Sequence, residues 1–254
     1  MRILVCVKRV PAPGARIVLS EDGTAIDDRH LAYTVSPHEE CAVEEAVRLA
    51  AEHGGSSTVL TLGPPAAEEQ LRTGISMGID HAVLLPTEEP EWDPRAVATA
   101  IAEAVRLLEA EGGTFDLVLF GNESADAANY QVGIRVATVL GRPVVGGVKR
   151  IELTAAGAAF HRGVSDGFER CDVPLPAIAA VKEGINVPRY PAMRGRLLAR
   201  KAEIRRLAPT RRPDALRLVR LRQPVQAETT TVVLGAGAEA APAVATLLEE
   251  VGLL

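Results

Sequence analysis

Apolar and polar positions fall in blocks along this chain. Residues 3–7 (ILVCV) form an unbroken apolar run, which suits a strand buried on both faces, and comparable runs recur at 58–62, 82–85 and 117–120. Between them the period lengthens to that of a helix. Ser36, Pro37 and Glu39 combine an N-cap hydroxyl, a proline suited to the first turn and a capping-box carboxylate. The helix they open sets Cys41, Val43, Ala46, Val47 and Leu49 near one face and stops at Gly54-Gly55. Further helices are expected at 66–77, from Asp93-Pro94 to about 111, and after a polar loop opened by Gly121 as far as Leu140-Gly141. Strand and helix alternating at this spacing predict an α/β fold: a doubly wound, mostly parallel, Rossmann-like sheet.

Some stretches depart from that alternation. Residues 16–19 and 24–26, around Glu21-Asp22-Gly23, read as a hairpin. Beyond Gly141, short β-like runs at 149–153, 158–162 and 177–181 are expected to complete the sheet and add an antiparallel excursion. After about residue 204 core signals thin out and Pro209, Pro213 and Pro224 interrupt, although a strand at 230–234 and a helix at 241–251 are still legible. This tail is read as an arm laid on a partner subunit; the competing reading folds it back on its own domain.

Composition narrows the classes. A chain of 254 residues, 47% hydrophobic, can bury a full core, and a net charge of −5 argues against a nucleic-acid binder. Cys6, Cys41 and Cys171 stand far apart, in neither disulfide nor metal spacing, and suit a reducing compartment. The chain enters its first strand at once, with no leader or membrane span, so a cytoplasmic location is expected.

In open α/β sheets the ligand crevice lies beyond the carboxyl ends of the strands. Residues 6–9, Leu62-Gly63-Pro64 and 121–133 should converge there. The last of these (GNESADAANYQVG) offers Asp126, Asn129 and Gln131 as polar contacts. Gln131, Val132 and Gly133 fall at a helix start, where free N–H groups can hold a phosphate. Neither a Walker loop nor G-x-G-x-x-G is present, so an anion pocket and an ordinary helix cap remain equally open. His38 beside Glu39 and Glu40 can be drawn as a general base, but more often such a residue packs or faces solvent. No nucleophile, base and orienter assemble, so no catalytic role is expected.

Three segments carry a family resemblance: Val5 to Pro11 (VCVKRVP), Ser36 to Glu45 (SPHEECAVEE) and Glu183 to Lys201 (EGINVPRYPAMRGRLLARK). Together they resemble the β subunit of electron-transfer flavoprotein over about residues 1–204. The resemblance implies a domain at 1–185 that binds adenine nucleotide, a partner-recognition loop and helix at 186–203, and an arm at 204–254 on an α subunit. It implies a structural AMP in this chain, with FAD held mainly by the α subunit. By position, Cys6 and the turn Ser36, Pro37, His38 and Glu39 would flank the adenosine, with Leu62 beneath it. Asn122, Glu123, Ser124, Ala125, Asp126 and Asn129 would line the loop, while Gln131, Val132 and Gly133 would hold the phosphate.

Asn122 stands where relatives often keep a lysine, and Ser36-Pro37-His38 replaces their Asn-Pro-[Phe/Tyr]. From composition alone Met193 reads as core and the arginines behind it as a solvated helix face. The resemblance implies instead that Tyr190, Met193, Arg194 and Arg196 dock dehydrogenases, from which the flavoprotein accepts electrons that it passes to a quinone-linked oxidoreductase. Two alternatives accompany it: a second FAD in place of AMP, as in electron-bifurcating forms, and a standalone nucleotide-binding stress-type protein.

Overall fold

The computed structural model describes residues 1–88, 92–213, 215–224 and 231–253. The apolar run near the N-terminus becomes β1 (Arg2–Cys6), an interior strand of a nine-stranded sheet. The chain first winds to one side of it. Helix α1 (Pro37–His53) leads to β4 (Ser56–Gly63), and α2 (Glu68–Met77) leads to β5 (His81–Pro86). Helix α3 (Pro94–Gly112) then carries the chain across to β6 (Leu117–Gly121), on the other side of β1, and α4 (Val132–Leu140) leads to β7 (Val144–Thr154). The order of these parallel strands with β10 (Ala177–Val181) is β5-β4-β1-β6-β10-β7. Winding therefore reverses between β1 and β6, and this is where such sheets open their crevice.

The two faces follow from strand periodicity. Ile3 and Val5 pack into the layer built with Cys41, Ala46 and Leu49 of α1 and Leu71 of α2. Leu4 and Cys6 point the other way, toward Ala100, Ile101 and Val105 of α3 and Val136 of α4. The many alanines of α3 let its backbone sit close to the sheet. Each fully buried Leu, Ile or Val contributes about 1.5–3 kcal/mol; β1 and β6 supply Ile3, Leu4, Val5, Leu117, Val118 and Leu119, and β10 supplies Ile178 and Val181 among small alanines. The expected antiparallel excursion is β7, β8 (Gly157–Val164) and β9 (Gly167–Val173), which extends the sheet beyond β10.

Four details differ from the sequence reading. The hairpin at 16–26 shrinks to one antiparallel bridge, Leu19 with Ile26, around a turn in which the Asp22 carboxylate accepts from Ser20 and Thr24, because the segment has little apolar surface to bury. A small antiparallel pair, β2 (Val10–Pro11) and β3 (Tyr33–Thr34), flanks that segment. Strand β9 was not expected, since GFERCDV alternates too weakly to stand out from a loop. At the tail, β11 (Arg205–Arg206) adds a parallel edge to β5, whereas residues 231–234 form no strand; Thr230 lies outside the described residues.

The tail lies on its own domain as far as residue 223. Leu207 N donates to Leu84 O at 3.0 Å, and Leu221 N donates to Gly23 O at 2.8 Å. Between them Asp93 does double service. One carboxylate oxygen caps α3 through Ala96 N (2.7 Å), and the other accepts Ala215 N (2.7 Å) and Leu216 N (3.0 Å). Beyond 231 the chain has helix α6 (Ala241–Glu250), none of whose side chains is buried. Asp93→Ala removes a cap and the tether together. It is expected to lower stability by about 1–2 kcal/mol and to speed proteolysis within 205–224; unchanged urea midpoints and cleavage rates would contradict the tether.

Candidate functional site

At the reversal point the first turn of α1 stands over the carboxyl ends of β1 and β6. Ser36 and Glu39 form the expected capping box: Glu39 N donates to Ser36 Oγ at 3.2 Å, and Ser36 N donates to Glu39 Oε2 at 3.0 Å. Glu39 reaches further than a cap. Its Oε1 accepts Lys8 N, just past β1, at 3.0 Å. Gly121 closes the arrangement from β6, since a Cβ there would lie 2.6 Å from Glu39 Cγ. The helix can approach the strand end only because this position has no side chain.

The loop between β6 and α4 is held from several directions. Lys8 Nζ pairs with Asp126 Oδ2 at 2.7 Å. Ser36 Oγ donates to Glu123 O at 3.2 Å. The Glu123 carboxylate receives Asn122 Nδ2 at 2.6 Å, the Tyr130 hydroxyl and His38 Nε2 at 3.3 Å. Asn122 Oδ1 accepts Gly147 N at 2.9 Å, so both ends of this amide are engaged. Ala128 and Tyr130 hold positive φ values of 44° and 56°, a conformation non-glycine residues adopt at a cost of about 1–3 kcal/mol each.

Electrostatics set two carboxylates against a third. Burial pushes Glu39 up to about 8, against the N–H groups of Ser36 and Lys8. Burial also raises Asp126 and Glu123, but there it is outweighed: the Lys8 ammonium holds Asp126 low, and Asn122, Tyr130 and His38 hold Glu123 low. Cys6 is 5% exposed, and burial followed by the neighbouring Glu39 pushes its thiol far above the ordinary range, which makes it a packing residue.

Of the residues expected here, Cys6, Ser36, His38, Glu39, Asn122, Glu123, Ser124 and Asp126 share one network or its immediate wall. Pro37 is exposed in the first turn of α1, and Leu62, on β4, packs against the α3 side of the sheet. Ala125 and Asn129 are exposed on the loop. Gln131 caps α4 only by position: its side chain makes no capping bond and instead accepts Arg135 Nε at 2.8 Å. The first N–H groups of α4, at Val132 and Gly133, therefore lack a side-chain cap and suit a phosphate. Lys8, Tyr130 and Arg135 joined the site without being singled out. The clearest signal for Lys8 is its place immediately beyond a strand end.

A second surface lies across α1. Arg189 binds Glu44 in a fork, Nε to Oε2 at 2.7 Å and Nη2 to Oε1 at 2.8 Å, and is thus taken up in holding the segment. Asn186 Nδ2 reaches Cys41 O and Glu45 Oε2, both at 3.0 Å. Helix α5 (Met193–Lys201) follows. Gly195 rests on Ser76 O, with no room for a Cβ, and Ala199 is buried on the same side. Arg72 Nη1 donates to the carbonyls of Ala199 (2.5 Å) and Ala202 (3.2 Å) at the far end. The opposite face is bare. Met193 is 70% exposed and Tyr190 84%, with Leu197 and Leu198 beside them, which corrects the compositional reading of Met193 as core. Arg194 is exposed, and Arg196 stacks on Tyr190 at 4.9 Å.

Among the described residues no group of histidine, cysteine or acidic side chains is placed to hold a metal, and no helix is long and apolar enough to cross a membrane. The model of the electron transfer flavoprotein domain matches residues 24–211. The chain is 32% identical over 209 residues to the electron transfer flavoprotein subunit beta of Bacillus subtilis, covering 82% of this chain and 79% of that one. It is 33% identical to Protein FixA of Azorhizobium caulinodans, over 80% of this chain and 74% of the other. To the caffeyl-CoA reductase-Etf complex subunit CarD of Acetobacterium woodii it is 34% identical, over 77% and 73%. The chain belongs to the electron-transfer flavoprotein family, with β subunits among its relatives, and its general role is electron transport.

A carboxyl whose folded-state pKa lies above its unfolded value takes up a proton on folding. The contribution of Glu39 to stability is therefore complete below its ordinary value of 4.5 and is lost as pH rises toward about 8. Glu39→Gln has no such titration. Its urea midpoint should gain on the wild type steadily from pH 5 to pH 8, while parallel profiles would show that the buried carboxyl does not titrate in this window.

Proposed function

We propose that this chain is the β subunit of a heterodimeric electron-transfer flavoprotein. It accepts electrons from dehydrogenases, such as acyl-CoA dehydrogenases, and passes them to a quinone-linked oxidoreductase in the cytoplasm. In this reading a structural AMP occupies the crevice at the β1/β6 reversal, and FAD is held mainly by an α subunit.

The donor set fits a mononucleotide. Val132 N and Gly133 N at the uncapped start of α4 would meet the phosphate, with the Arg135 guanidinium one turn further on. The side chains of Asn122 and Lys8 are already engaged, so the loop supplies backbone N–H groups in place of the lysine that relatives often keep. The flavin, when bound, supplies the redox chemistry. This chain's residues bind, orient and dock.

The observation that carries the docking role is the bare face of α5. A nine-residue helix has four cations, Arg194, Arg196, Arg200 and Lys201, no acid, and an apolar row of Met193, Leu197 and Leu198 left outside. Such a face suits a partner with an apolar pocket rimmed by carboxylates. The relatives' names as electron transfer flavoprotein subunits support an electron carrier over an enzyme. The relative named for a caffeyl-CoA reductase complex keeps a second reading in view, in which a second FAD replaces AMP.

Met193→Ala should raise the KM for this protein in a dehydrogenase assay by about 10- to 100-fold, the equivalent of about 1.5–3 kcal/mol of buried side chain, with flavin content unchanged. The same KM should climb with ionic strength, since exposed cations act over about 10 Å at 0.1 M salt. An unchanged KM in Met193→Ala with every dehydrogenase tried would sink the anchor role.

A further inference from the structure

His38 joins two segments far apart in sequence. Its Nδ1 accepts the backbone N–H of Glu183 at 2.7 Å, and its Nε2 lies 3.3 Å from Glu123 Oε1. A ring nitrogen that accepts carries no proton, so the proton sits on Nε2 and points at the carboxylate. The imidazole therefore grips the candidate nucleotide loop with one nitrogen and the first residue of the docking segment with the other. Farther along the same helix edge, Cys41 and Glu45 hold Asn186, and Glu44 holds Arg189. Positions 38, 41, 44 and 45 recur at the helical spacing that places them along one stripe of α1. The stripe fixes the docking segment from 183 to 189, and the first turn of the same helix builds the nucleotide site.

We propose that His38 is a positioning residue that couples occupancy of the nucleotide site to the order of the docking segment, residues 183–201. The inference rests on the reading of both sites given above. A phosphate at the start of α4 settles the loop that bears Glu123. Glu123 settles the plane of the imidazole, and the imidazole settles Glu183. The link is a chain of hydrogen bonds through the ring, from Glu123 to His38 to Glu183, beside the backbone bond from Asn122 N to Val181 O (2.8 Å) that joins the strand ends below it. Coupling of this kind is reciprocal: a dehydrogenase that orders the segment must tighten nucleotide binding by the same factor. A nucleotide without redox chemistry of its own thereby acquires an influence on partner affinity.

The test is amide exchange over residues 183–190, read by mass spectrometry on the full chain in complex with its α subunit, with AMP as the probe. His38→Phe preserves a ring of similar size and removes both hydrogen bonds; His38→Leu serves as the second variant should the first fail to fold. In the wild type AMP should slow exchange by at least about five-fold, the lower end of typical couplings. With each protein held at an AMP concentration that calorimetry shows to be saturating for it, the slowing should nearly vanish in the variants. Equal slowing in wild type and variants would overturn the proposal, as would a wild type that binds AMP without any slowing. A wild type that binds no AMP would remove the nucleotide reading instead. The joint would then be judged on the ligand-free pair, where faster exchange at Glu183 in the variants supports it and equal rates refute it.

Discussion

One buried carboxyl group registers the parts of the candidate site against one another. Glu39 ties the start of α1 to the segment leaving β1 and, by contact, to the end of β6. These pieces come from positions 8, 36–39 and 121. Burying a carboxyl costs free energy unless its oxygens are satisfied, and here both oxygens receive backbone N–H groups. The arrangement is therefore demanding. A side chain at 121 would push the helix away, and a shorter acid at 39 would leave Lys8 N without its partner.

The fold was legible because its strands are long, apolar and evenly spaced, and because α1 and α3 carry explicit start signals in Ser36-Pro37 and Asp93-Pro94. Elements missed or misjudged share a physical reason: their stability comes from neighbours. Strand β9 carries mostly exposed side chains and exists because β8 offers it an edge. Strand β11 is two arginines recruited by β5 and held by Glu111 and Glu68. The hairpin at 16–26 has good turn residues but little apolar surface to bury, so only one bridge survives.

The site was partly legible. Its segments could be named from the rule that crevices open past strand ends, and the residues of the capping box declared themselves. What could not be read was which polar side chains are already engaged. Asn122 looks like a ligand contact in sequence, yet its amide is used at both ends. Arg189 lies beside the expected docking residues, yet it is folded down onto Glu44. His38 looked like a bystander at a helix start, and its importance comes from Glu183, a residue 145 positions away. Spacing along the chain reports secondary structure; pairing across such distances appears only once the sheet has brought the ends together. Met193 shows the converse, since hydrophobicity alone marks it for the core, while Gly195 and Ala199 take the buried side of its helix and leave it outside.

The central claim is that the β1/β6 crevice of this chain holds a mononucleotide within a flavoprotein complex. The most direct measurement is to purify the chain with its α subunit, denature the complex, and identify and count the released nucleotides by chromatography and mass. The account predicts one AMP and one FAD per heterodimer. Release of two FAD and no AMP, or of FAD alone, would contradict it.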